Sequence, residues 1–185
     1  MSTLTTDPEL VRIGAKLYAD DPSVIDLPAY VPIFHGWIQR RILDGTPIDV
    51  ADYAHVPDGP GVMLIGHEAD RSIDMGEGRP GVLYQRKRIP EGSLEDRFAA
   101  AIAAADGLAD ELEADAAAEG VAFGRDEILL KVTDRRRASN NNDALDALRP
   151  VIAGALARVR PGRDAAVERV AGDPKGPLTI RVRLS

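Results

Sequence analysis

The chain has 185 residues, no cysteine, 44% hydrophobic side chains and a formal net charge of −7. This is the composition of one globular domain, or of a domain with an N-terminal extension. Without thiols there are no disulfides and no thiolate metal, redox or nucleophile chemistry, which suits a cytoplasmic protein.

No apolar run approaches the roughly 18 residues that a membrane-spanning helix needs. The opening MSTLTTDPEL has neither the basic nor the apolar region of a signal peptide. Aromatics make up only 4% of the chain, so Leu, Ile, Val and Ala must fill the core. The charge is uneven: Ser93–Glu119 holds eight acids against one base, Arg97, which accounts for the whole net excess. The rest is balanced, with none of the basic footprint that generic nucleic-acid binding requires.

In chain order, Asp7-Pro8 reads as a helix start, with Asp as N-cap and Pro at the first helical position. Leu10, Val11, Ile13, Ala15, Leu17 and Tyr18 would form its apolar face, and Pro22 would end it. Residues 1–30 are therefore expected to form an N-terminal helix and connector, and 31–185 a single α+β domain. Val31–Leu43 begins with β-branched and aromatic residues and predicts a strand over 31–39, with His35 and Trp37 on one face. A helix over 37–44 is the rival reading. Asp49–Tyr53 is expected to form a helical turn or stay irregular. Val56-Pro57-Asp58-Gly59-Pro60-Gly61 is a stiffened loop. Three strands follow as a meander over 62–88: VMLIG, then Arg71–Met75, then GVLYQRKR.

Ser93-Leu-Glu-Asp96 resembles a capping box. Behind it Leu94, Phe98, Ile102, Ala105, Leu108 and Leu112 recur at helical spacing, with Gly120 as the expected C-cap. Val121–Thr133 predicts a strand or hairpin broken near Gly124–Asp126. A second helix is expected after a cap at Asn142 or Asp143, with Pro150 kinking it or delaying its start. A short strand at Val167–Val170 and the alternating LTIRVRL over 178–184 complete the chain. Strict βαβ alternation is absent. The expected fold is α+β: a mostly antiparallel sheet of about six strands, two main helices on one face and an N-terminal helix.

Three groupings bear on function. All three histidines lie between residues 35 and 67. His35, His55 and His67 are candidate ligands for a divalent metal if the strands bring them together. His67 and Glu68 are candidate catalytic groups, with Glu68 as a fourth ligand or general base. No HExxH or other ligand spacing supports them. The Pro57–Gly61 loop, with Asp58, lacks the Lys-Ser/Thr of a phosphate loop and is more simply a rigid wall. Arg86 and Arg88 alternate onto one strand face and are candidate holders of a small anionic ligand, beside His35, His55 and Asp58. Without a specific catalytic signature, two readings stand. One is a self-associating binding or assembly module, expected as a homodimer. The other is an anionic-ligand-binding protein or metal-dependent enzyme with a pocket near residues 35–68.

Overall fold

The computed structural model describes residues 12–88 and 91–185. Its architecture is α+β, as composition and pattern predict. Among the described residues eight strands form one antiparallel sheet: β1 (Ile13–Ala19), β2 (Pro47–Tyr53), β3 (Gly61–Gly66), β4 (Ala69–Asp74), β5 (Gly81–Arg86), β6 (Phe123–Val132), β7 (Ala165–Arg169) and β8 (Leu178–Leu184). They are ordered β2-β3-β4-β5-β1-β6-β8-β7. Three helices, α1 (Leu27–Arg40), α2 (Leu94–Ala114) and α3 (Asn142–Val159), share one core with the inward side chains of the sheet.

The expected N-terminal helix is overturned over Ile13–Ala19, which is a strand; its predicted start at Asp7-Pro8 lies outside the described residues. β1 is hydrogen-bonded on both sides, to β5 and β6. All seven of its side chains are buried: Ile13, Ala15, Leu17 and Ala19 under the helices, Gly14, Lys16 and Tyr18 on the other face. A strand covered on both faces loses the alternation that announces a strand. Gly14 is fixed by this crowding, since a Cβ there would lie 2.9 Å from the main-chain oxygen of Tyr84.

The expected strand over 31–39 is also overturned. Tyr30, Ile33, Phe34 and Trp37 are the buried residues of α1, at the spacing of one helix face. Pro28 sits in the first turn, where its missing N–H costs little, and Pro32 is accommodated inside the helix. The helix is tied down at its far end, where Trp37 Nε1 donates to Asp115 Oδ2 at 2.7 Å. Asp49–Tyr53, expected to form a helical turn or stay irregular, belongs instead to edge strand β2. It pairs with β3 through a register shift between Pro47 and Asp49.

The 62–88 meander is present as β3–β4–β5. The α2 capping box is complete: Asp96 N donates to Ser93 Oγ, and Ser93 N to Asp96 Oδ2. α2 stops earlier than Gly120, at Asp115, whose carboxylate accepts from Ala117 N as well as Trp37. β6 runs through Gly124–Asp126 without the expected break. The irregularity expected there takes the form of a bulge: Leu17 faces Ile128 and Ala19 faces Phe123, so the extra residues of β6 lie between 123 and 128. Asn141, one residue before the expected cap, receives the Ala144 N–H at 2.9 Å, and Pro150 lies within α3.

The opposite face carries an ion-pair network under the β4–β5 connection. Lys16 is wholly buried there, and its Nζ reaches Asp74 Oδ2 at 2.6 Å, Gly76 O at 2.7 Å and Glu77 Oε2 at 3.3 Å. Glu77, in the left-handed region at φ 61°, also pairs with Lys131 at 2.6 Å. Arg79 lies 3.7 Å over the Tyr18 ring and pairs with Glu127 at 2.9 Å. Burial and the charge of Glu77 raise the Tyr18 phenol above its ordinary value. Among the described residues no helix is long and apolar enough to cross a membrane.

Candidate functional site

α1 packs on β2 and β3, while α2 packs on β5 and β1. The two helices therefore leave a gap between them over β4, inside the sheet, and a cleft of about 460 Å³ lies there. The α1–β2 connector forms one wall with Ile42, Leu43, Asp44 and Gly45. The other wall is the small-residue face of α2, Ala100, Ala103, Ala104 and Gly107, ending at Glu111. A Cβ at Gly107 would meet nothing within 4 Å, so this wall is set back by lack of side chains.

The strands and the β3–β4 turn supply polar groups of the cleft: Arg71, Tyr84 and Arg86 from the strands and Glu68 from the turn. Register explains their convergence, because Arg71 is paired with Tyr84 across the β4–β5 ladder, and Arg86 follows Tyr84 by two residues on the same face. The Arg71 guanidinium lies 5.6 Å over the Tyr84 ring, and its Nη2 donates to the Asp44 carbonyl at 3.0 Å. Arg86 Nη1 donates to the Tyr84 hydroxyl at 3.3 Å, and its Nε to the Arg88 carbonyl at 3.1 Å. Neither guanidinium is in ion-pair contact with a carboxylate among the described residues. Burial pulls Arg71 below its ordinary value, opposed by Tyr84, Asp44 and Glu68. A half-buried cation without a bound counter-charge is an electrostatic demand that an anion meets.

The residues singled out from sequence are placed as follows. Arg86 lines the cleft. Arg88 does not; it is exposed, and its Nε donates to the His67 carbonyl at 3.2 Å, stapling the β3–β4 turn. Glu68 is at the cleft but engaged, its Oε2 accepting the Thr46 N–H at 3.0 Å. That bond holds its carboxyl below the ordinary value, so it is a weak proton acceptor and a poor general base. His67 is exposed and is held through its main chain, with N donating to the Thr46 carbonyl at 2.9 Å. His35 is exposed on α1. His55 and Asp58 are exposed in the β2–β3 loop, at the other end of β3 from Glu68, roughly 16 Å of strand away. Among the described residues no group of three or more His, Asp or Glu side chains is placed to hold a metal ion. His35, His55 and His67 are thus not brought together as a ligand set.

Arg71, Tyr84, Asp44 and Glu111 belong to the cleft and were not singled out from sequence. The hairpin register contained the signal for two of them: once β4 and β5 are adjacent, Arg71 falls opposite Tyr84 and beside Arg86. Asp44 and Glu111 depend on where the connector and α2 pass over the sheet, which no local pattern encodes. No family model, curated protein or solved structure matches this chain.

Proposed function

We propose that this protein binds a small molecule bearing a carboxylate or phosphate group in the cleft between the α1–β2 connector and α2. The observation that supports this reading is that Arg71 and Arg86 both line a cavity of about 460 Å³ with no carboxylate in contact with either. The volume is that of a small-metabolite site. Two guanidiniums beside a phenol offer several donors to one planar or tetrahedral anion. Glu68 is held by the Thr46 amide and His67 does not line the cleft, so the reading assigns binding and no bond-breaking step.

A thermal-shift screen of mono- and dicarboxylates, inorganic phosphate and phosphomonoesters, with and without amino groups, tests it. A specific binder at a hundred times its dissociation constant adds about 2.7 kcal/mol, or roughly 5–10 °C for a chain of this size. The shift is expected to vanish in Arg86→Ala. Saturable stabilisation that persists in Arg86→Ala, or none from any compound, contradicts the reading.

A second reading is self-association through the sheet face opposite the helices. The half-buried Met63, Ile65 and Leu83 favour it; they alternate with the core residues Val62, Leu64 and Val82 and so point to that face. Sedimentation of wild type and Ile65→Glu decides it: a dimer dispersed by the substitution supports it, and a monomer at every concentration contradicts it.

A further inference from the structure

The two arginines share their cleft with three carboxylates: Asp44 on the connector, Glu68 at the start of the β4 hairpin arm and Glu111 on α2. None of these five groups is in ion-pair contact with another, although Asp44 and Glu68 both act electrostatically on Arg71. Elsewhere in the chain, an arginine that faces a carboxylate closes on it. Arg160 reaches Asp106 at 2.7 Å, Arg125 reaches Asp110 at 2.7 Å and Arg79 reaches Glu127 at 2.9 Å.

In the cleft, main-chain and phenolic partners hold the charges apart. Arg71 is turned to the Asp44 carbonyl, Arg86 to the Arg88 carbonyl and Tyr84 hydroxyl, and Glu68 to the Thr46 amide. The result is a cavity with the arginines on its floor, Glu68 beside them, and Asp44 and Glu111 on its two walls. A ligand that is only anionic satisfies the arginines but is repelled by the acids; one that is only cationic meets the reverse. A molecule carrying both charges is attracted at both ends, and single-charge competitors are disfavoured by the groups of like charge that they leave unmatched.

We infer that the occupant is a small zwitterion. Its carboxylate or phosphate sits on Arg71, Arg86 and the Tyr84 hydroxyl, and its ammonium group faces Glu111 and the acids of the rim. This rests on the anion-binding reading above and narrows it to one chemical class.

Calorimetric titration of the full chain tests it. The ligands are glycine, β-alanine, γ-aminobutyrate and phosphoethanolamine, each beside its counterpart lacking the amino group (acetate, propionate, butyrate and ethyl phosphate) and beside the matched simple amines. At least one zwitterion is expected to bind about tenfold or more tightly than both single-charge counterparts. Glu111→Gln, on an exposed position of α2, is expected to erase that advantage, with the affinity for the matched acid kept or raised as the repulsion of Glu111 is removed. Equal affinity for a zwitterion and its acid, or an advantage unchanged in Glu111→Gln, overturns the zwitterion assignment while the anion reading stands. No binding by any compound overturns both.

Discussion

The guanidinium of Arg71 donates to the main-chain carbonyl of Asp44 across 3.0 Å, so a residue of the cleft floor also holds the cleft wall. A hydrogen bond from a charged donor contributes about 1.5–3 kcal/mol. Arg71→Ala is expected to lose about that much in urea denaturation. Amide exchange should rise across residues 41–46 while the β6–β8 ladder stays protected. Unchanged exchange in the connector would show that Arg71 does not restrain it.

Gly107 is the set-back position of the α2 wall, with open space where a Cβ would stand. Gly107→Ala is expected to stabilise the protein by up to about 1 kcal/mol, because glycine in a helix interior is disfavoured by that amount. Gly107→Leu keeps the helix and fills the cleft. Its circular dichroism should match wild type while the ligand-induced thermal shift is lost. A retained shift would move the binding site elsewhere.

On the opposite face Lys16 and Asp74 form a nearly solvent-free pair, with side-chain exposures of 0% and 7%. Removing one partner strands the other charge, which costs about 3–5 kcal/mol. Lys16→Met is expected to fall in that range by chemical denaturation. The double variant Lys16→Met/Asp74→Leu should recover part of the loss, since no unpaired carboxylate remains. Equal losses in both variants would show that packing rather than charge is responsible.

Glu77 sets a pH dependence. Burial raises its carboxyl, but the hydrogen bond and charge of Lys131 and the charge of Lys16 hold it below the ordinary 4.5. A depressed carboxylate binds its proton less readily in the folded chain than in the unfolded one. Its contribution is therefore complete above 4.5 and is lost as the pH falls through the folded-state value. Stability should decline as the pH falls below about 4.5, with a shallower slope in Glu77→Gln. An identical slope in the variant would separate Glu77 from the acid response.

The parts of the fold legible in sequence are those whose signal is local. The β3–β5 meander announced itself through VMLIG and its turns, α2 through Ser93–Asp96 and its apolar spacing, and β8 through LTIRVRL. β1 was hidden because burial on both faces removed its alternation, with Lys16 neutralised by partners 58 and 61 residues away. α1 was hidden by composition: Val31, Ile33, Phe34 and Trp37 favour a strand locally, and packing of the 30/33/34/37 face decided for a helix. The same division runs through the site. Arg86 was visible as a strand-end cation, Arg71 required the β4–β5 register, and the grouping of the histidines depended on a strand at 31–39 that does not form.

Side-chain NMR of the arginine Nε–H groups, titrated with the best zwitterion or acid from the binding panels, tests the central claim most directly. Saturable shifts are predicted for Arg71 and Arg86, with Arg88 and the Arg135–Arg137 run unmoved. Shifts confined to those other arginines, or a titration that leaves Arg71 and Arg86 in place, would contradict the assignment of the cleft.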